Sequence, residues 1–181
     1  MNVLLINASP RKNGNSSFII NKLKEKYSNE NLKSIVLNNL VYKGCQGCLS
    51  CRNNNTFCIV DDELKGILPE MANYDLIIIV TPNYYGFVTG QLKLFLDRWY
   101  CLKDKDRRSK FNNNTKLFFV VVQGAPNRDH SANIINWSKY VFESFNLKYY
   151  GYTIAGCRFN SIEMVELKYP ELSMHLNMFA G

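Results

Sequence analysis

The sequence predicts an α/β protein, a doubly wound sheet of five parallel strands with helices on both faces. Three observations predict it. Strand-like and helix-like segments alternate along all 181 residues, the pattern of a parallel sheet built from crossover units. Two strand-like segments contain continuous apolar runs, Leu76–Val80 and Leu117–Val122, as strands covered on both faces do. Polar loops follow the first, third and fourth strands, where folds of this kind bind ligands.

Asn2–Asn7 is a β-rich apolar run ending in small polar residues. A helix from about Ser16 to Tyr27 follows, with Ile19, Ile20, Leu23 and Tyr27 at helical spacing. Lys33–Leu37 is a short second strand. Asp61, Asp62 and Glu63 open a second helix, where acids face the positive end of the dipole, and Leu64, Ile67, Leu68 and Met71 form its stripe. Asp75–Thr81 is the third strand. The third helix spans roughly Thr89–Leu102, with Leu92, Phe95, Leu96 and Trp99 on one side. Lys116–Val122 is the fourth strand, and a helix over about Ser131–Phe145 turns Ile134, Val141 and Phe145 inward. Leu147–Ala155 is the fifth strand. Ser161–Phe179 reads as helix, broken near Pro170 because proline removes a backbone donor.

Hydrophobic residues make up 46% and charged residues 20%, which excludes a disordered or collagen-like chain. No apolar run approaches the ~20 residues of a membrane helix. The N-terminus has no basic lead for a signal peptide, so a cytoplasmic location is expected. The formal charge is +7, uneven along the chain: residues 1–90 hold 9 basic and 7 acidic side chains, residues 91–181 hold 13 and 8. The densest patch, Lys103–Lys110, reads as a solvated mixed-charge loop or as a positive rim that steers a phosphorylated substrate. No zinc-finger spacing or aromatic RNA-binding signature accompanies it, so nucleic acid is not the expected partner. His130 and His175 are isolated and are assigned to a loop start and a surface helix.

The loop after the first strand runs Ala8-Ser9-Pro10-Arg11-Lys12-Asn13-Gly14-Asn15-Ser16-Ser17 into a helix. It has neither a dinucleotide-binding glycine motif nor a P-loop. It does offer hydroxyls at Ser9, Ser16 and Ser17, a cation at Arg11, a turn at Gly14 and a helix N-terminus, all suited to a phosphate monoester. An ordinary helix cap at Asn15 or Ser16 is the alternative.

This loop resembles the phosphate loop of the flavodoxin-like NAD(P)H-dependent FMN reductase family. The resemblance continues through Thr81-Pro82-Asn83-Tyr84-Tyr85-Gly86-Phe87 to Asp97-Arg98, and again at Gln123-Gly124-Ala125 after the fourth strand. It implies a three-layer flavodoxin-like fold with strand order 2-1-3-4-5, covering residues 1–181 as one FMN-binding domain. It also implies that Ser9, Arg11, Asn15, Ser16 and Ser17 hold the FMN phosphate. Pro82, Asn83, Tyr84, Tyr85 and Gly86 would line the isoalloxazine, with Gln123, Gly124 and Ala125 opposite. Asn83 stands where many relatives have a small apolar residue. NAD(P)H is the implied co-substrate, and a homodimer or homotetramer the implied assembly. An apolar surplus in Met164, Tyr169, Leu172, Met174, Leu176, Met178 and Phe179 agrees with a partner subunit.

Four of the six cysteines fall within 14 residues as Cys45-x2-Cys48-x2-Cys51-x6-Cys58, between the second strand and second helix. Disulfides are disfavoured in a reducing compartment. Four thiolates suit an iron–sulfur cluster or zinc, and a cluster-free redox loop is the third reading. The spacing resembles the iron–sulfur flavoproteins of the same superfamily, which carry a 4Fe–4S cluster beside FMN. Cys101 and Cys157 read as packing residues.

Two functions follow. One is an FMN-dependent oxidoreductase that passes electrons from NAD(P)H through FMN to a small-molecule or protein acceptor. Hydride transfer to flavin needs no nucleophile or base, so no catalytic residue is assigned. The other is an iron–sulfur flavoprotein electron carrier, using FMN and a 4Fe–4S cluster with a ferredoxin-type donor. A redox-sensing or nucleic-acid-binding module stands third, because it leaves the three flavin-like loops unexplained.

Overall fold

A computed structural model describes residues 1–158 and 161–181. Five strands, β1 (Asn2–Asn7), β2 (Asn31–Val36), β3 (Leu76–Pro82), β4 (Lys116–Val122) and β5 (Lys148–Ile154), form one parallel sheet in the order β2-β1-β3-β4-β5. The strand order is the expected flavodoxin-like one. It reverses direction at β1, which pairs with both β2 and β3.

Side chains alternate along each strand, so each strand feeds two cores. On one face Val3, Leu5, Ile78, Val80, Phe118 and Val120 meet α1 (Asn15–Lys26) through Ile19, Ile20 and Leu23. The long C-terminal helix covers the same face through Val165, Leu172 and Leu176. On the other face Leu4, Ile6, Ile77, Ile79, Leu117 and Phe119 meet three helices. α2 (Ser50–Asn53), a single turn inside the cysteine loop, adds Cys51 to this second core. Of the three helices on the second face, α3 (Leu64–Glu70) contributes Leu64 and Leu68, α4 (Gly90–Asp97) Leu92 and Phe95, and α5 (Ala132–Glu143) Ile134 and Phe142.

Four expectations are revised. The second helix begins at Leu64, because Asp62 turns its carboxylate back to accept from the Leu64 N–H at 3.1 Å. The third helix ends at Asp97 and tightens into a 3₁₀ turn over Arg98–Leu102, which seats Trp99 among Phe95, Phe111, Phe142 and Phe145. The C-terminal helix, α6, runs unbroken over Ile162–Ala180 with Pro170 inside it. Pro170 is exposed, so water can take the carbonyl that loses its partner, while buried Val165 and Leu172 pin the helix on either side. On α5 the inward residues are Ile134, Ser138 and Phe142, with Val141 half-buried instead of inward, and Phe145 is buried just beyond the helix end.

Candidate functional site

Two cavities bring together the residues of interest. The first, of about 360 Å³, lies at the C-terminal ends of β1, β3, β4 and β5. Its floor is the loop after β1. Asn7 holds that loop from below, accepting from the Ser9 N–H at 3.0 Å and donating to Ser17 Oγ at 3.1 Å. Ser17 Oγ in turn donates to the Arg11 carbonyl, and the Arg11 N–H donates to Ser9 Oγ at 3.2 Å. Thr89 locks the loop to the next helix: its hydroxyl donates to the Ala8 carbonyl at 2.8 Å and accepts from the Leu92 N–H.

The start of α1 is left open to this cavity. Gly14 at the N-cap offers no side chain, and no acid stands in the first turn. The first-turn N–H groups therefore present partial positive charge to the cavity. Buried Asn15 donates to the Cys157 carbonyl at 3.0 Å. Its Oδ1 is buried too and has no hydrogen-bond partner among the described residues, an acceptor that suits a hydroxyl of a bound molecule. Arg11 and Arg158 line the cavity and no carboxylate does, so the site favours an anion.

One wall is Pro82, Asn83 and Tyr84. Tyr84 and Phe87 exchange backbone hydrogen bonds at 2.8 and 3.0 Å around Tyr85 and Gly86, both with positive φ. That two-residue turn suits glycine and strains tyrosine. Asn83 fastens the turn: Oδ1 accepts from the Gly86 N–H at 2.9 Å, and Nδ2 donates to Gln123 Oε1 and to the His130 carbonyl. The opposite wall is Val122, Gln123 and Gly124. Both protons of the Gln123 amide nitrogen are engaged, by the carbonyls of Ala125 and Asn127.

Of the residues the sequence singled out, Ser9, Arg11, Asn15, Ser16, Pro82, Asn83, Tyr84, Gln123 and Gly124 line this cavity together. Ser17, Tyr85, Gly86 and Ala125 do not. Ser17 braces the loop from behind, Tyr85 stands fully exposed at the turn, and Gly86 makes the turn. Ala125 accepts from the Gly156 N–H at 2.9 Å. Sequence reasoning missed the loop after β5. There the Cys157 N–H donates to the Gln123 carbonyl, and Arg158 lies against Gly124, where a Cβ would come within 3.2 Å of its Cγ. The strand-end rule applied to the fifth strand is the signal that could have found it.

The second cavity, of about 310 Å³, is lined by Cys45, Cys48, Cys51 and Cys58, with Leu49, Ile59, Val60 and Tyr100 among its walls. All four thiols are free. They ring the cavity instead of meeting at a point: among the described residues no three His, Cys, Asp or Glu side chains are assembled to hold a single metal ion. Two unusual conformations shape the ring, Gly47 at φ 65° and Leu49 at φ 59°, the latter capping α2. The loop packs on α4, with the Tyr42 hydroxyl donating to the Gln91 carbonyl at 2.7 Å. The Cys48 thiol is held below its ordinary value by hydrogen bonding from Ser50. Burial and the neighbouring Cys58 push Cys51 up. Cys101 sits behind the ring, buried, with its thiol raised to about 11 by desolvation.

The basic segment Lys103–Lys110 is organised as a hairpin beside this loop. Asp104 Oδ1 accepts from the N–H groups of Asp106 and Arg108 at 2.9 and 2.7 Å. Lys110 reaches back to the Thr56 carbonyl and over the Phe57 ring. Among the described residues no helix is long and apolar enough to cross a membrane.

Comparison with known proteins places this architecture. Over 127 residues the chain is 33% identical to an iron–sulfur flavoprotein, MJ1083, of Methanocaldococcus jannaschii, covering 69% of this chain and 63% of that one. Over 108 residues it is 32% identical to an iron–sulfur flavoprotein of Methanosarcina thermophila, covering 59% and 56%. The chain thus spans between half and two thirds of these relatives. An FMN-dependent NADH-azoreductase from Bacillus anthracis, solved with FMN, superposes with a TM-score of 0.71 at 16% identity over the full length of both chains, a likeness of fold. The model of the family described as NADPH-dependent FMN reductase matches residues 1–168, and the chain belongs to that family.

Proposed function

We propose that residues 1–181 are a single FMN-binding domain that passes electrons through FMN and through a 4Fe–4S cluster held by Cys45, Cys48, Cys51 and Cys58. One observation carries this reading: all four cysteines line one cavity. The second cavity has room for more than one ion, which favours a polynuclear cluster over zinc. When bound, FMN takes one or two electrons and the cluster one, so the pair couples both kinds of donor.

The residues fit these groups. The open α1 N-terminus with Ser9, Arg11, Asn15 and Ser16 suits a phosphate, and the unpartnered Asn15 Oδ1 suits a hydroxyl of the chain that leads to it. Pro82–Tyr84 and Gln123–Gly124 form the two walls for a flat ring, and Gly124 adds no side chain to its wall. Ser17, Gly86 and Ala125 act by shaping the loops, and exposed Tyr85 tops the turn beside the ring site.

The test is substitution of the thiols under anaerobic conditions. Cys48→Ser and Cys58→Ser lower iron and acid-labile sulfide while FMN stays bound. Variants with the iron content of the parent protein overturn the cluster assignment.

A second reading, an NAD(P)H oxidoreductase that needs no cluster, is supported by the family match and by Tyr84 at the cavity wall, a surface for a nicotinamide. NADPH oxidation by iron-free, FMN-loaded protein at the full rate favours it. In either reading the acceptor is a small molecule or a protein, and the chain acts as a homodimer or homotetramer.

A further inference from the structure

One side chain ties both ends of the cysteine loop together. Arg98, which follows α4, is 1% exposed and is the largest buried cation of the described residues. Its Nη1 donates to the Lys43 carbonyl at 2.8 Å, before the first cysteine of the loop, and to Asp62 Oδ2 at 2.6 Å, after the last. Nη2 donates to Asp62 Oδ1 at 3.2 Å. Its Nε donates to the Cys58 sulfur at 3.1 Å. Asp62 is held in turn by the N–H groups of Lys43 and Leu64, each at 3.1 Å.

A buried ion pair is weak evidence of stability, because desolvation opposes the Coulombic gain. The two-pronged contact with Asp62 needs only the outer nitrogens of the guanidinium. The inner donor, Nε–H, is spent on a thiol. That thiol belongs to the ring of four, and the loop ends that bracket the ring meet the same guanidinium.

We propose that Arg98 is a positioning residue for the iron–sulfur cluster, and that its Nε–H bond and buried charge at Cys58 raise the cluster's reduction potential. This rests on the cluster assignment above. Reduction adds one electron, and hence one negative charge, to the cluster and its thiolates. A hydrogen bond to a ligand sulfur and an adjacent positive charge both favour that reduced form. Asp62 acts in the opposite sense, since its carboxylate offsets the charge that Arg98 brings.

The opposite signs make the test. Midpoint potentials are measured by dye-mediated anaerobic titration, with loss of the cluster's visible absorption as readout, on the reconstituted full chain. The expected order is Asp62→Asn highest, then the parent protein, then Arg98→Lys, then Arg98→Gln. Lysine keeps the charge and loses the bond from Nε, so it restores part of what glutamine removes. If Arg98 merely braces the loop, breaking the pair from either side acts alike, and potentials that move together or not at all overturn the inference. Should Arg98→Gln fail to fold by far-UV circular dichroism, Arg98→Lys and Asp62→Asn carry the comparison. A parent protein that takes up no iron removes the cluster assignment and this inference with it. An iron-loaded parent whose potential the substitutions leave unmoved removes the inference alone.

Discussion

Arg11 and Arg158 line the same cavity from loops 147 positions apart in the sequence, and among the described residues no carboxylate lines it. A charge-assisted hydrogen bond to phosphate is worth about 1.5–3 kcal/mol. Arg11→Gln should therefore weaken FMN about 10- to 100-fold and leave riboflavin, which has no phosphate, unchanged. Titration of both flavins by fluorescence checks this, and equal losses for the two would place Arg11 away from the phosphate. Asp62 makes a second prediction. Burial alone would raise its carboxyl, but the Arg98 guanidinium and the Lys43 and Leu64 N–H groups hold it below the ordinary 3.8. A depressed folded-state value means the unfolded chain binds more protons in acid. The stabilisation is thus complete above the ordinary value and is lost as pH falls through the folded one. Asp62→Asn should cost roughly 3 kcal/mol at neutral pH and flatten the acid limb of a urea-midpoint profile. Legibility at this scale followed locality. Ser9, Arg11, Asn15 and Ser16 stand close together in one loop and could be read. Arg158 is a lone cation after an edge strand, and Asp62 and Arg98, read as a helix start and as part of the resemblance, are 36 positions apart, so nothing local marked their pairing.

The helices show which sequence signals carry weight. Apolar spacing located α1, α4 and α5 because burial decides helix position, and the start of α4 at Thr89 was read correctly, whereas the start of α3 is set by the single side chain of Asp62, which pattern reading placed inside the helix. Pro170 misled because its rule describes a local cost, and α6 meets that cost with contacts on both sides. Proline in a helix interior is about 3 kcal/mol worse than alanine, offset in part by the unfolded chain's lost freedom. Pro170→Ala should raise stability by about 2 kcal/mol, seen as a higher Tm with unchanged far-UV signal. α4 is the element that matters to function. Thr89 locks its start to the loop of the first cavity and Arg98 locks the chain beyond its end to the second, roughly 13 Å apart at the helical rise. Trp99 anchors that end in the aromatic core, and Trp99→Ala should cost about 3–5 kcal/mol by urea unfolding.

At the scale of the whole molecule, the five strands and the clustering of cysteines were readable because each is written in contiguous segments, and the strand order followed from the family resemblance. How the cysteine loop is fastened to the sheet was not, since that depends on tertiary contacts made by α4 and the Lys103–Lys110 hairpin. The apolar surplus of the C-terminus resolves into two stripes. Val165, Leu172 and Leu176 are buried on the sheet, while Met164, Leu167, Met174 and Met178 are exposed and share one side of the helix at about 100° per residue. Leu167→Glu combined with Met178→Glu should convert an oligomer to monomer in sedimentation, and an unchanged assembly would place the interface elsewhere. The central claim is that one chain holds both redox groups. Its most direct test is the content of FMN, iron and acid-labile sulfide in anaerobically reconstituted protein. One FMN with about four irons and four sulfides per chain is expected; FMN-loaded protein with no iron and four freely titrating loop thiols would overturn the assignment.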